Sequence, residues 1–135
     1  MTQKYINELT HTIIGAAIEV HKELGPGLLE SVYEKCIVHL LREKGLKIES
    51  QKRVPLNFRG ISIDCDLRFD IMVEDLIIVE LKAIDGLLPI HEAQLLTYLK
   101  LLEKPKGILI NFNCTNIFKE GQKTIVTECF AQLPR

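Results

Sequence analysis

Apolar residues recur at helical spacing through the first third of the chain and then give way to short strand-like runs. Leu9, Ile13, Ala16 or Ala17, Val20 and Leu24 stand three or four positions apart, which predicts a helix over residues 3–24. Gly25-Pro26-Gly27 stops it. A second helix is expected over 28–44, with Leu29, Val32, Cys36 and Leu40 on one stripe and Glu30, Tyr33, Glu34 and Ile37 on another. Gly45 supplies its C-terminal stop. Runs of apolar residues bounded by turn formers predict strands over 46–54, 56–58, 61–66, 69–73 and 77–82, with a short hairpin at Arg59-Gly60. A loop containing Gly86 and Pro89 leads to a third helix over 91–102, and strands over 106–112 and 124–129 follow, joined by a loop around Lys119-Glu120-Gly121. Two helices, a set of strands, a helix and two more strands make an α/β chain with a mixed β-sheet flanked by helices. The 135 residues read as a single domain without internal repeat or linker.

Charge breaks the apolar pattern at one place in particular. Asp70, Glu80 and Lys82 interrupt the two most apolar runs, in Phe69-Asp70-Ile71-Met72-Val73 and Ile77-Ile78-Val79-Glu80-Leu81-Lys82. Residues two apart in a strand share a face, so Glu80 and Lys82 point one way while Val79 and Leu81 point the other. Whether Asp70 joins them depends on the turn. A two-residue turn would set Asp70 opposite Val79 and send the two carboxylates to opposite faces. A three-residue connection, Glu74 to Leu76, pairs Val73 with Ile77 and sets Asp70 opposite Glu80, roughly 5 Å apart at Cβ. The odd register, or a bulge, is therefore expected. Two carboxylates on adjacent strands can hold a divalent metal, with the lysine free to meet a phosphate or a metal-bound water.

The third helix carries a second polar group. His91, Gln94 and Tyr98 fall at i, i+3 and i+7 and form one stripe, while Leu95, Leu99 and Leu102 form the stripe that packs on the sheet. A Gln amide and a Tyr hydroxyl beside a metal could hydrogen-bond a phosphate or orient a water, and His91, near the helix start, is a candidate phosphate contact.

Composition narrows the function classes. Apolar residues make up 47% of the chain, which argues against disorder, and no run is long enough to span a membrane. The first residues lack a basic-then-apolar signal, so a cytoplasmic setting is expected. A net charge of −1 provides no global field for polyanions. Phosphate binding must then rest on local clusters such as Lys52-Arg53 or Lys100, Lys104 and Lys106. Cys36, Cys65, Cys114 and Cys129 contain no C-x-x-C pair, so buried thiols are expected and neither zinc nor iron–sulfur spacing is present.

Gly27-Leu28-Leu29-Glu30-Ser31-Val32-Tyr33 resembles the signature of the GxxExxY proteins, a group within the PD-(D/E)XK nuclease superfamily. The likeness runs from Ile13-Ile14-Gly15-Ala16-Ala17-Ile18-Glu19-Val20-His21 through Val79-Glu80-Leu81-Lys82-Ala83 and His91-Glu92-Ala93-Gln94-Leu95-Leu96-Thr97-Tyr98 to Leu109-Ile110-Asn111-Phe112-Asn113. It implies a restriction-endonuclease-like αβββαβ core. It also implies Asp70 and Glu80 as metal carboxylates, the Leu81 carbonyl and Glu30 as further metal ligands, and Lys82 as the catalytic lysine. The Q-x-x-x-Y of Gln94 and Tyr98 is similar to the extra motif of the RecB-like branch, whose four-cysteine iron–sulfur cluster the cysteines here do not fit. Gln94, Tyr98, His91 and Tyr33 become the expected substrate contacts. The implied activity is Mg²⁺-dependent hydrolysis of nucleic acid, with Mn²⁺ able to substitute and DNA favoured over RNA. The alternative is a catalytically silent module that binds nucleic acid or a partner. Such nucleases often pair to cut two strands, which makes a homodimer reasonable, and the near-neutral charge leaves room for a targeting partner protein.

Overall fold

The computed structural model describes all 135 residues. Helices α1 (Gln3–Leu24) and α2 (Glu30–Glu43) precede strands β1 (Ile48–Ser50), β2 (Leu56–Phe58), β3 (Ile61–Ile63), β4 (Ile71–Val73) and β5 (Ile77–Lys82). Helix α3 (Pro89–Leu102), strand β6 (Lys106–Asn111), the helical turn α4 (Ile117–Glu120), strand β7 (Gln122–Val126) and the turn α5 (Glu128–Ala131) complete the chain. A five-stranded sheet runs β1-β4-β5-β6-β7, parallel between β5 and β6 and antiparallel elsewhere. With α2, β1, β4, β5, α3 and β6 in chain order, this is the αβββαβ core of a restriction-endonuclease-like fold, a mixed sheet flanked by helices. No helix is long and apolar enough to cross a membrane.

Both faces of the central strands are covered, which explains why they are nearly continuous runs of Ile, Val and Leu. Ile71, Val73, Ile77, Val79, Leu81, Ile108 and Ile110 pack with α1 and α2. The alternate residues Met72, Ile78 and Leu109 pack with Leu95, Tyr98 and Leu99 of α3. Glu80 and Lys82 follow Ile78 at two-residue intervals and so lie on the α3 face with it. Gly107 lets the helix approach: a Cβ there would stand 2.9 Å from both Leu95 Cγ and Leu99 Cδ1. Gly107→Val is expected to push α3 from the sheet and cost about 1–3 kcal/mol of stability. Urea denaturation checks this, and an unchanged midpoint would contradict it.

Several boundaries differ from the expected ones. The first strand closes at Ser50 because Gln51 takes a left-handed conformation (φ 52°), which ends the extended run. The chain rejoins only through a single bridge, Arg53 to Arg68. Strands β2 and β3 form a separate hairpin outside the main sheet. Its Leu56–Ile63 and Phe58–Ile61 pairs put four apolar side chains on one face, with Phe58 and Ile61 about 60% exposed. Helix α3 starts two residues early, at Pro89, where a missing N–H costs nothing. Strand β7 ends at Val126, and Thr127 opens a helical turn where strand was expected. The four cysteines are free and half-buried rather than fully buried.

Candidate active site

The β4–β5 register decides the site. Val73 pairs with Ile77, Met72 with Ile78 and Ile71 with Val79, so three residues make the connection and the next pair outward is Asp70 with Glu80. Glu74 and Asp75 supply the left-handed conformations the turn needs (φ 53° and 57°). The turn is also tied down from outside. The Glu74 carboxylate accepts from Lys47 N at 2.9 Å, and the Lys104 ammonium reaches Asp75 at 3.0 Å.

Asp70 and Glu80 are interlocked through the backbone. Asp70 N donates to Glu80 Oε1 at 3.0 Å, and Leu81 N donates to Asp70 Oδ2 at 2.8 Å. Glu80 is only 7% exposed. Burial and the neighbouring Asp70 charge push its carboxyl pKa up to about 8, against which the Asp70 N–H and the Lys82 charge pull only in part. Two acids therefore share a site that accommodates one negative charge comfortably. A bound cation would remove that conflict. The chain brings together no group of three His, Cys, Asp or Glu side chains able to hold a metal. An ion at this pair would draw its remaining ligands from backbone oxygens and water. An all-oxygen set with two carboxylates suits Mg²⁺ or Mn²⁺, and with no sulfur or imidazole donor it does not suit zinc.

Helix α2 brings two acids to the same end of the sheet. Glu30 lies in its first turn, exposed, and its Oε2 accepts from Ala83 N at 3.2 Å, just beyond Lys82. Glu34, one turn later, connects to Asp70 through Gln51. Gln51 Nε2 donates to Glu34 Oε1 at 2.7 Å and to Asp70 Oδ1 at 3.2 Å. Burial, and to a lesser degree the Asp70 charge, raises the Glu34 carboxyl pKa against the opposing Gln51 hydrogen bond. Glu34 and Gln51 were absent from the expected site. The i, i+4 spacing of Glu34 from Glu30 was a usable signal. Gln51 gave none, because its left-handed turn inside a strand-like run is imposed by tertiary structure. Asn111, the β6 partner of Lys82, was also missed as a site element. Its amide accepts from Ile84 N and donates to Ile84 O, which pins the segment leaving β5.

On α3, Tyr98 is buried and Gln94 exposed, and Gln94 Nε2 donates to Tyr98 Oη at 3.2 Å. Burial raises the Tyr98 pKa first, and the charges of Glu80 and Asp70 add to it. His91 acts as a helix cap: its Nδ1 accepts from Leu88 N at 2.9 Å, which leaves Nε2 as the nitrogen able to donate outward. Tyr33 lies apart from the cluster. It is fully buried and stacked on Phe112 at 4.1 Å. Its hydroxyl donates to Gly25 O at 2.6 Å and accepts from Leu28 N at 3.1 Å, so it is committed to holding the Gly25-Pro26-Gly27 loop that aims α2 and Glu30 at the sheet end. The two cavities of about 510 Å³ are lined by other residues, so cavity volume does not point to the Asp70–Glu80 pair.

A family model described as PD-(D/E)XK nuclease superfamily matches residues 7–125. No curated protein matches the chain. Among solved structures, the chain is similar to the one titled "Crystal structure of SSO0001", at 19% identity and a TM-score of 0.43 over 91% of this chain and 82% of that one. That likeness is too loose to bear on function.

Proposed function

We propose, from the premise that this chain belongs to the PD-(D/E)XK nuclease superfamily, that it is a divalent-metal-dependent nuclease that hydrolyses phosphodiester bonds, with DNA ahead of RNA as substrate. The observation that carries the reading is the placement of Asp70, one residue before β4, beside Glu80 of β5, joined by backbone-to-carboxylate hydrogen bonds, with Lys82 on the same face two residues on. Asp70, Glu80 and the Leu81 carbonyl would hold Mg²⁺, with Mn²⁺ able to replace it, and Glu30 stands near enough to the end of β5 to serve the same centre through water. The ion supplies charge neutralisation at the scissile phosphate and a lowered pKa for a bound water.

The chain's own groups do the rest. Burial and the Asp70 charge favour the protonated Glu80 carboxyl, which would release its proton to solvent to serve as an anionic ligand. Asp70 is oriented by the Leu81 N–H and by Gln51, so its carboxylate is set before any ligand arrives. The Lys82 ammonium can donate to a phosphoryl oxygen or to the nucleophile, stabilising charge that grows in the transition state. Gln94, Tyr98 and the Nε2 of His91 offer donors along α3 for the phosphates on either side.

Calorimetric titration of Mn²⁺ or Mg²⁺ into wild-type and Asp70→Asn protein tests the metal assignment. Asp70→Asn keeps the acceptor for Leu81 N and removes the charge, so at least a tenfold weaker binding is expected. Equal affinities would remove Asp70 from the centre.

A further inference from the structure

A cavity of about 510 Å³ lies on the α1 side of the sheet, across from the Asp70–Glu80 face. Asn7, Thr10, His11, Ile14, Gly15 and Ile18 of α1 form one wall, and Lys106 is on another. Lys106 opens β6 and is 7% exposed. It takes part in none of the chain's ion pairs. Its ammonium donates to Asn7 Oδ1 at 3.1 Å and stands 5.7 Å from the centre of the Phe130 ring. A lysine this buried ordinarily has a carboxylate partner. Burial alone pulls the Lys106 pKa down, with no neighbouring anion to offset it.

Two further observations concern the same space. No acidic side chain lines the cavity, although the chain carries 18 Asp and Glu, and the titratable groups that do line it are Lys106 and His11. Gly15 sits in the middle of α1, where glycine weakens a helix, yet a Cβ there would meet nothing within 4 Å. No packing constraint calls for glycine at that position. Its effect is to leave the cavity wall open between the polar end, at Lys106, Asn7 and His11, and an apolar end at Ile14, Ile18 and Phe118.

We propose that this cavity is a binding site for a small organic anion, whose carboxylate, phosphate or sulfonate meets Lys106 and whose apolar or aromatic body lies along Ile14, Ile18 and Phe118. The volume lies within the range of small-molecule pockets. Lys106 pairs with Ile77, three residues before Glu80 on β5, so the site is roughly 10 Å along the strand from the carboxylate pair, and on the other face. It stands independently of the nuclease reading.

The test is a fluorescence titration of the native protein with 8-anilinonaphthalene-1-sulfonate, an aromatic sulfonate of the proposed class. Wild-type protein is expected to bind it at one site. Lys106→Met, which keeps the side chain's length and removes its charge, is expected to weaken binding at least tenfold with an unchanged circular dichroism spectrum. Gly15→Leu, which fills the cavity and leaves the lysine in place, is expected to do the same, and it decides alone should Lys106→Met fail to fold. No binding by folded wild-type protein, or undiminished binding by the folded variants, overturns the proposal.

Discussion

Glu80→Gln is expected to make the metal-free protein more stable at pH 8–9, by on the order of a few kcal/mol, while abolishing tight metal binding. The sign follows from the raised pKa. Glu80 moves from 4.5 to about 8 on folding, so between those values the native state holds a proton that the unfolded chain has released. Wild-type stability is therefore complete below about pH 4.5 and falls as pH rises toward 8. Each pKa unit corresponds to about 1.4 kcal/mol, and the coupling to Asp70 reduces the total that can be assigned to Glu80 alone. The charged groups that act on Glu80 are Asp70 and Lys82, and the Asp70 charge is the one that opposes its ionisation. Glutamine keeps an oxygen for the Asp70 N–H and has no proton to lose, so the variant should show a flatter profile. Urea unfolding at pH 5 and pH 9 measures the slope directly. A variant less stable than wild type at both pH values would contradict the account of Glu80. Added Mn²⁺ should reverse the order, stabilising wild type and leaving the variant nearly unchanged.

Lys82→Ala is expected to lower cleavage by about 10²–10³-fold, with metal affinity changed little. The loss is that of a charged donor aimed at developing negative charge, for which losses of this size are usual. Lys82 is only partly buried and ends β5, so truncation leaves no cavity in either core cluster and the unfolding midpoint should hold. Single-turnover cleavage under saturating metal separates this effect from a binding defect. Full activity in the purified variant would take Lys82 out of the chemistry.

Much of this arrangement was legible in the sequence because it rests on local periodicity. The alternation of Glu80 and Lys82 with Val79 and Leu81 fixes their faces, and the register followed from asking which turn length brings Asp70 to Glu80. Helices α1, α2 and α3 were readable from three-to-four spacing and from glycine and proline at their ends. What escaped depends on contacts distant in sequence. Gln51 reaches Asp70 only because the chain turns left-handed at the end of β1. Tyr33 lies on the helix stripe that carries Glu30 and Glu34, yet its ring turns inward onto Phe112 while the two acids stay at the sheet end. The β2–β3 hairpin alternates like a buried strand pair but has nothing packed on its apolar face, a distinction that periodicity does not contain.

The most direct test of the central claim is cleavage of labelled single-stranded, duplex and branched DNA and RNA by the wild-type protein with Mg²⁺, with Mn²⁺ and with chelator, run beside Lys82→Ala. The account predicts metal-dependent cleavage, abolished by chelator and lowered about 10²–10³-fold by the substitution, with DNA cut faster than RNA. Metal binding without cleavage of any substrate would contradict it and leave a silent nucleic-acid- or partner-binding module on a nuclease fold.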